Sequence, residues 1–275
     1  MQKRILAIHD LSGFGSGSLM AIIPIMNRYG LQVTVLPTAL LSANTCYADY
    51  AWLDTTSFIK SCLEHFKKLS HSYSAIYSGF LGSAAQAQIV LEAIHTFGGP
   101  SCYIVIDPVM ADDGELYSCY DQSMIESLSA LVALADLITP NFTEACFLAG
   151  WEYRMDYSEA DLERLCQKLH QIGAKSIVIT SVPDAAGKGS RVLYSNLDTG
   201  LQSFDCDYLP VFFPGTGDIF CALLLALILN NIGIAEAIPR VIAFIHKAIS
   251  FSMNSDIDRR EGILLESQLW QEDLR

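Results

Sequence analysis

The sequence predicts an α/β fold, in which a central, mostly parallel β-sheet lies between layers of helices. Three observations predict it. Short apolar runs rich in β-branched residues alternate with longer segments of helical period, as parallel strands buried on both faces and their crossover helices require. The runs end in polar or turn residues, among them His9, Ser78, Asp107, Thr139 and Thr180, as strands do where an open sheet meets a ligand crevice. A chain of 275 residues that is 51% hydrophobic and 17% charged carries enough apolar surface for one large core. Nothing resembling a linker, a low-complexity tract or an internal repeat divides it, so residues 1–275 are expected to form a single domain.

In chain order, the first strand is expected at residues 4–9, followed by a glycine-rich turn and a helix at 18–29. A strand at 32–36 leads to a helix at 56–69; a strand at 75–78 leads to a helix at 84–97. Strands at 103–107 and 137–139 bracket a helix at 122–135, and helices at 143–149 and 159–171 precede a strand at 176–180. Residues 191–195 and 201–208 read as an antiparallel pair around a turn at 196–200. Two long helices, at 218–230 and 234–252, complete the pattern. The stretches 112–117 and 183–189 are rich in turn residues and are expected to be mobile covers.

Charge and targeting signals narrow the function. A net charge of −13 without a Lys/Arg run excludes a nucleic-acid backbone or an anionic membrane as partner, so anionic substrates must be held locally. The first ten residues lack the long apolar core of a signal peptide, and the cytoplasm is expected. The longest apolar run, residues 219–229, would span about 16 Å as a helix, against roughly 30 Å of bilayer hydrocarbon. Eight cysteines show no Cys-x-x-Cys pair or zinc-finger spacing and read as reduced, mostly buried thiols.

The chemistry gathers at Gly215-Thr216-Gly217-Asp218, which opens the apolar helix. Glycines let the backbone approach a ligand, and the free N–H groups and dipole of a helix start attract an anion such as phosphate. A carboxylate there would repel phosphate, so Asp218 makes better sense as the base for a hydroxyl that attacks phosphorus, although a simple helix cap would also place an Asp in that turn. Two familiar nucleotide motifs fail. The glycines of Ser12-Gly13-Phe14-Gly15-Ser16-Gly17 lack dinucleotide spacing and an acid about 20 residues on. Gly187-Lys188-Gly189-Ser190 lacks both the first glycine and the Ser/Thr of a P-loop. A second polar group lies at strand ends: Asp107-Pro108, Thr139-Pro140-Asn141-Phe142-Thr143-Glu144 and Thr180-Ser181. Gathered at one edge, these would suit a hard cation such as Mg²⁺; taken singly, they also read as turn formers and helix caps.

Together these motifs resemble the ribokinase-like superfamily, and in particular the pyridoxal (vitamin B6) kinases. The resemblance rests on Asp10-Leu11-Ser12-Gly13-Phe14-Gly15, the run from Leu36 to Ser42, Tyr77-Ser78-Gly79-Phe80-Leu81-Gly82, the run from Asp107 to Tyr117, the Thr139–Glu144 motif and Gly215–Asp218, and so covers nearly the whole chain. It implies a three-layer sandwich with a mostly parallel sheet, usually a homodimer, that transfers the γ-phosphate of ATP to the 5′-hydroxymethyl group of a B6 vitamer. Asp218 would be the base and Gly215, Thr216 and Gly217 the anion hole. Glu144 would act on Mg²⁺, with Asp107, Thr139 and Thr180 near the cations and Asp112 and Ser181 near the nucleotide phosphates. Asp10, Ser12 and Thr45 would face the pyridine ring, Tyr77 would pack near it, and K⁺ would be a further cofactor. Two positions depart from the pattern: Asn44 stands where relatives carry His, which puts vitamer preference in question, and Ala111 replaces a glycine, which would stiffen the approach to Asp112. A hydroxymethylpyrimidine-type kinase and a non-catalytic vitamer-binding protein are the alternative functions.

Overall fold

The computed structural model describes residues 2–184, 189–207, 209 and 211–270. The chain runs β1 (Arg4–Ser12), α1 (Ser18–Arg28), β2 (Gln32–Leu41), β3 (Trp52–Asp54), α2 (Thr56–Leu69), β4 (Ala75–Ser78) and α3 (Ala84–Phe97). It continues through β5 (Tyr103–Ile106), β6 (Ala111–Asp112), β7 (Glu115–Leu116), α4 (Gln122–Val132), β8 (Leu137–Ile138), α5 (Phe142–Ala149) and α6 (Glu159–Ile172). Then come β9 (Ser176–Pro183), β10 (Ser190–Asn196), β11 (Gly200–Cys206), α7 (Thr216–Leu229), α8 (Ile234–Met253), a 3₁₀ turn at Arg259–Glu261 and α9 (Leu265–Leu269).

Nine strands form the main sheet in the order β11-β10-β9-β8-β5-β4-β1-β2-β3. The six from β9 to β2 are parallel, β3 and β10 run antiparallel to them on either side, and β11 pairs antiparallel with β10. Successive side chains on a strand point to opposite faces, and the sequence uses both. Leu6, Ile8, Ile76, Ile104, Ile106 and Ile138 pack with α2 to α6, whereas Ile5, Ala7, Ala75, Val105 and Leu137 pack with α1, α7 and α8. This explains the unbroken apolar strand runs, and it makes the molecule the three-layer sandwich expected. Nearly every residue of α7 is buried, so the longest apolar run is a core helix. Among the described residues no helix is long and apolar enough to cross a membrane, and all eight cysteines are free thiols.

Several expectations need correction. β1 and β2 continue past 9 and 36: Pro37 stays in register opposite His9, the bulge follows between His9 and Leu11, and the missing Pro37 N–H lies before the stretch of β2, Ala39 to Leu41, that pairs with β3. The predicted cover at 112–117 contains the two-residue hairpin β6–β7, turned by Asp113 (φ +48°) and Gly114 (φ +83°). Ala111 sits in a strand outside the left-handed region, so its loss of glycine's freedom strains nothing there. Of the other predicted cover, residues 185–188 lie outside the described residues, as do 208 and 210 beyond β11.

Candidate active site

The carboxyl ends of β1, β4, β5, β8 and β9 meet the first turn of α7 at one edge, so neighbouring strand tips do gather the polar residues. Gly215 caps α7 in the left-handed conformation, with φ +81°. A Cβ built there would lie 2.7 Å from Gly17 Cα and 2.8 Å from Ser16 O, so the turn can touch the glycine-rich loop after β1 only as glycine. No side chain caps α7. The N–H groups of Thr216, Gly217 and Asp218 precede the first intrahelical acceptor pairing, made by Ile219 N–H to Gly215 O, and remain available to an anion.

Asp218 is held at both oxygens. Ser18 N–H, at the start of α1, donates to Oδ2 at 2.6 Å, and His9 Nε2 lies 3.2 Å from Oδ1. His9 Nδ1 lies 2.8 Å from Asp10 Oδ1, and Ser12 Oγ donates to Asp10 Oδ2 at 3.3 Å. Burial works against a charged His9, yet the Asp218 and Asp10 carboxylates raise its pKa to about 10. Burial alone would push the Asp10 carboxyl up, but His9, Ser18 and Ser12 hold it below the ordinary carboxylate range. His9 was not singled out in the sequence. Its signal was a polar residue ending an apolar strand directly before Asp10.

Behind this pair lies Asp107, whose backbone N–H donates to Ser78 O at 2.8 Å. Burial, with the nearby charge of Asp218, pushes its carboxyl up to about 7. Burial and Asp107 together push Glu144 well above the carboxylate range. Glu144 forms a capping box with Asn141: its Oε2 accepts Asn141 N–H at 2.7 Å, and its Oε1 accepts Met110 N–H at 3.0 Å. Asn141 Nδ2 donates to Ala111 O at 2.7 Å, tying the β6–β7 hairpin to the same corner. Ser78 Oγ is buried without a hydrogen-bond partner, and the buried hydroxyls of Thr139 and Tyr77 lie beside the Asp107 carboxyl, whose charged form they favour. No three His, Cys, Asp or Glu side chains converge as a metal cluster among the described residues. A buried carboxyl beside buried hydroxyl oxygens nonetheless fits an oxygen-liganded cation.

The remaining predicted residues fall around this edge. A bulge in β9 opposite Val192 sets Thr180 and Ser181 out of register, with Ser181 at φ +57°. Asp112 is exposed in the hairpin, and Thr45 is exposed in the loop between β2 and β3. Tyr77 corrects its expectation: it is buried against α7 with its ring edge-on to His9 at 6.1 Å between centroids, and offers no surface for a ligand ring. Tyr117, which carries no local sequence signal for a site residue, lies where its phenol feels Glu144, Asp112, Asp218 and Asp107. Asn44 is engaged at both ends of its amide, Nδ2 donating to Arg260 O at 2.7 Å and Oδ1 accepting Cys46 N–H at 3.0 Å. The adjacent 3₁₀ turn also accepts Ser16 N–H at Glu261 O, at 2.7 Å, and a Cβ on Gly262 would lie 3.0 Å from Pro214 O.

A three-layer sandwich whose sheet edge carries an uncapped helix start and a firmly held carboxylate has the ribokinase-like fold of its structural neighbours. Residues 13–263 match the family model described as phosphomethylpyrimidine kinase, and the chain belongs to that family. It is similar to a Bacteroides thetaiotaomicron protein assigned to the phosphomethylpyrimidine kinases and crystallised with pyridoxal, with 37% identity, coverage of 98% of this chain and 96% of that one, and a TM-score of 0.94. It is also similar to the crystal structure of pyridoxal kinase from Lactobacillus plantarum, with 27% identity, 98% coverage of both chains and a TM-score of 0.87. Pyridoxal kinase from Arabidopsis thaliana is 32% identical over 56% of this chain, and that match spans about half of the relative, 50% of its length.

Proposed function

We propose that the protein, as one kinase domain, transfers the γ-phosphate of ATP to the 5′-hydroxymethyl group of a B6 vitamer, whether pyridoxal, pyridoxine or pyridoxamine. The observation that carries this reading is the juxtaposition of Asp218, fixed by Ser18 N–H and His9, with the uncapped start of α7. The pyridoxal and pyridoxal-kinase relatives support the choice of substrate.

In the reaction, Asp218 accepts the proton of the vitamer hydroxyl as its oxygen bonds to the γ-phosphorus; the bond to the bridging oxygen breaks and ADP leaves with its electrons. The N–H groups of Gly215, Thr216 and Gly217 face the charge that spreads over the transferring group, where fixed donors act more strongly than water does. Asp10, Ser12 and Thr45 take the ring side, and Asp112, Thr180 and Ser181 the nucleotide side. Asp107 and Thr139, with Glu144 bracing the corner, would hold Mg²⁺, which when bound supplies charge neutralisation at the phosphates. K⁺ would add to that charge. The free thiols suit a reducing compartment such as the cytoplasm. A second copy of the chain is the partner proposed, supported by the exposed apolar side chains Leu40, Trp52, Leu53 and Phe58 on and beside the β2–β3 edge.

The test is Mg·ATP-dependent phosphorylation of pyridoxal, pyridoxine, pyridoxamine and hydroxymethylpyrimidine by purified protein, with Asp218→Asn in parallel. Turnover of a B6 vitamer that collapses in the variant is expected. Turnover of hydroxymethylpyrimidine alone would replace the vitamer, and vitamer binding without ATP consumption would leave a binding protein.

A further inference from the structure

His9, the buried ionisable group that touches the base, takes no proton in the phosphoryl transfer itself. His9 has 2% of its side chain exposed and touches carboxylates at both ring nitrogens, Asp10 Oδ1 at 2.8 Å and Asp218 Oδ1 at 3.2 Å. Its ring cannot rotate away. A Cβ on Gly79 would lie 2.0 Å from ring Cδ2, so the backbone at the end of β4 lies flush against the imidazole. Tyr77 closes another side, edge-on at 6.1 Å.

We propose that His9 is a positioning residue: a doubly protonated imidazole that locks the base Asp218 and the ring-side Asp10 into one rigid unit. The proposal rests on the kinase reading given above. Two ionised carboxylates at opposite ring nitrogens call for two N–H donors, which only imidazolium provides. Asp10 N–H also points at Nδ1, from 3.0 Å. A neutral ring could accept that bond, but it would then set its Nδ1 lone pair against a carboxylate oxygen 2.8 Å away. The groups that face the ring are Asp10 from β1, Asp218 from α7 and the Tyr77 phenol from β4, while Asp107 at the end of β5 acts on it only through space; the two carboxylates in hydrogen-bond contact favour the cation.

Two consequences follow for the reaction. An imidazolium has no free lone pair, so the proton that Asp218 takes from the hydroxyl is not passed on through His9, unlike a relay in which a neutral histidine is the acceptor. The unit also couples recognition to chemistry: a vitamer that moves the Asp10 carboxylate moves the base with it through one ring.

His9→Gln, which keeps one donor and removes the charge, provides the test. The expected result is a fall of about 10²-fold in kcat for vitamer phosphorylation, the cost of misplacing a catalytic group by about 1 Å, with the KM for Mg·ATP little changed. Wild-type kcat should also lose activity along an alkaline limb near pH 10, where His9 deprotonates, and the variant should lack that limb. Nitrogen NMR of ¹⁵N-histidine-labelled wild-type protein should show both His9 ring nitrogens protonated at pH 8, well below that limb. A neutral His9 at pH 8, or a variant with wild-type kcat and an unchanged alkaline limb, overturns the proposal. If wild-type protein phosphorylates none of the hydroxymethyl substrates, the kinase reading fails on its own. The bridge is then decided by the spectrum, where Asp218→Asn must lower the His9 titration midpoint by about one unit or more.

Discussion

Replacing Gly215 with alanine tests the geometry on which the anion hole depends. The residue sits at φ +81°, where an L side chain costs about 1–2 kcal/mol. The new methyl would also lie 2.7 Å from Gly17 Cα and 2.8 Å from Ser16 O, both backbone atoms, against an ordinary contact that begins at 3.4 Å. The entry to α1 and the start of α7 must therefore separate by roughly 0.7 Å, and such overpacking costs about 1–3 kcal/mol. The two effects amount to about 2–5 kcal/mol, or a fall in Tm of roughly 5–20 °C for a chain of this size. The same separation pulls Ser18 N–H, now 2.6 Å from Asp218 Oδ2, away from the base, and should lower kcat about 10²-fold. Calorimetry and ADP release in the presence of vitamer measure the two effects. Gly215→Asn separates strain from collision: asparagine tolerates the left-handed region but brings the same Cβ, so it should be nearly as damaged. A Gly215→Ala protein with Tm within about 2 °C of wild type and unchanged kcat would refute the close approach of the two helix starts.

Glu144→Gln should lose about 1–3 kcal/mol in urea denaturation, because an amide sets its NH₂ against either Asn141 N–H or Met110 N–H and leaves a buried donor unpaired; a variant as stable as wild type would remove the capping box from the account. His9 is raised from 6.5 to about 10 in the folded protein, so its contribution to stability should be fully present below pH 6.5 and be lost as pH rises to about 10. Urea midpoints should fall across that window, and His9→Gln should flatten the fall. Asn44→His should raise vitamer KM and lower stability without reordering pyridoxal, pyridoxine and pyridoxamine, because the amide is engaged by backbone and a Cβ on Gly15 would already lie 2.3 Å from its Nδ2; a changed vitamer ranking would return Asn44 to the substrate side.

What the sequence disclosed depended on how local each signal was. The strand tips and the Gly215–Asp218 turn were legible because period, glycine spacing and a polar residue ending an apolar run are written in consecutive residues. Pro37 read as a strand end, and only the pairing of β2 with its neighbours, which leaves Pro37 opposite His9 and outside the ladder to β3, shows why β2 carries on. Asp113-Gly114 is a hairpin signal in itself, but strands of two residues are too short to show alternation. Tyr77 was expected near the ring only through the motif it opens, Tyr77–Gly82, yet the two-residue period of β4 turns it towards α7. His9 escaped because its second carboxylate partner is 209 positions away. The β9 bulge that presents Thr180 and Ser181 exists only through the register of β10.

The turn at Arg259–Glu261 gives the site a place in time as well as in space. Its carbonyls hold Ser16 and Asn44, the latter across 216 positions, and Gly262 meets the turn that precedes α7. Six parallel strands can pair before this segment arrives, since none of their ladder contacts needs it. The ring of loops around the carboxylates closes only afterwards, because contacts between distant parts of a chain form late. A chain truncated before residue 258 should therefore keep much of its strand and helix signal in circular dichroism while consuming no ATP.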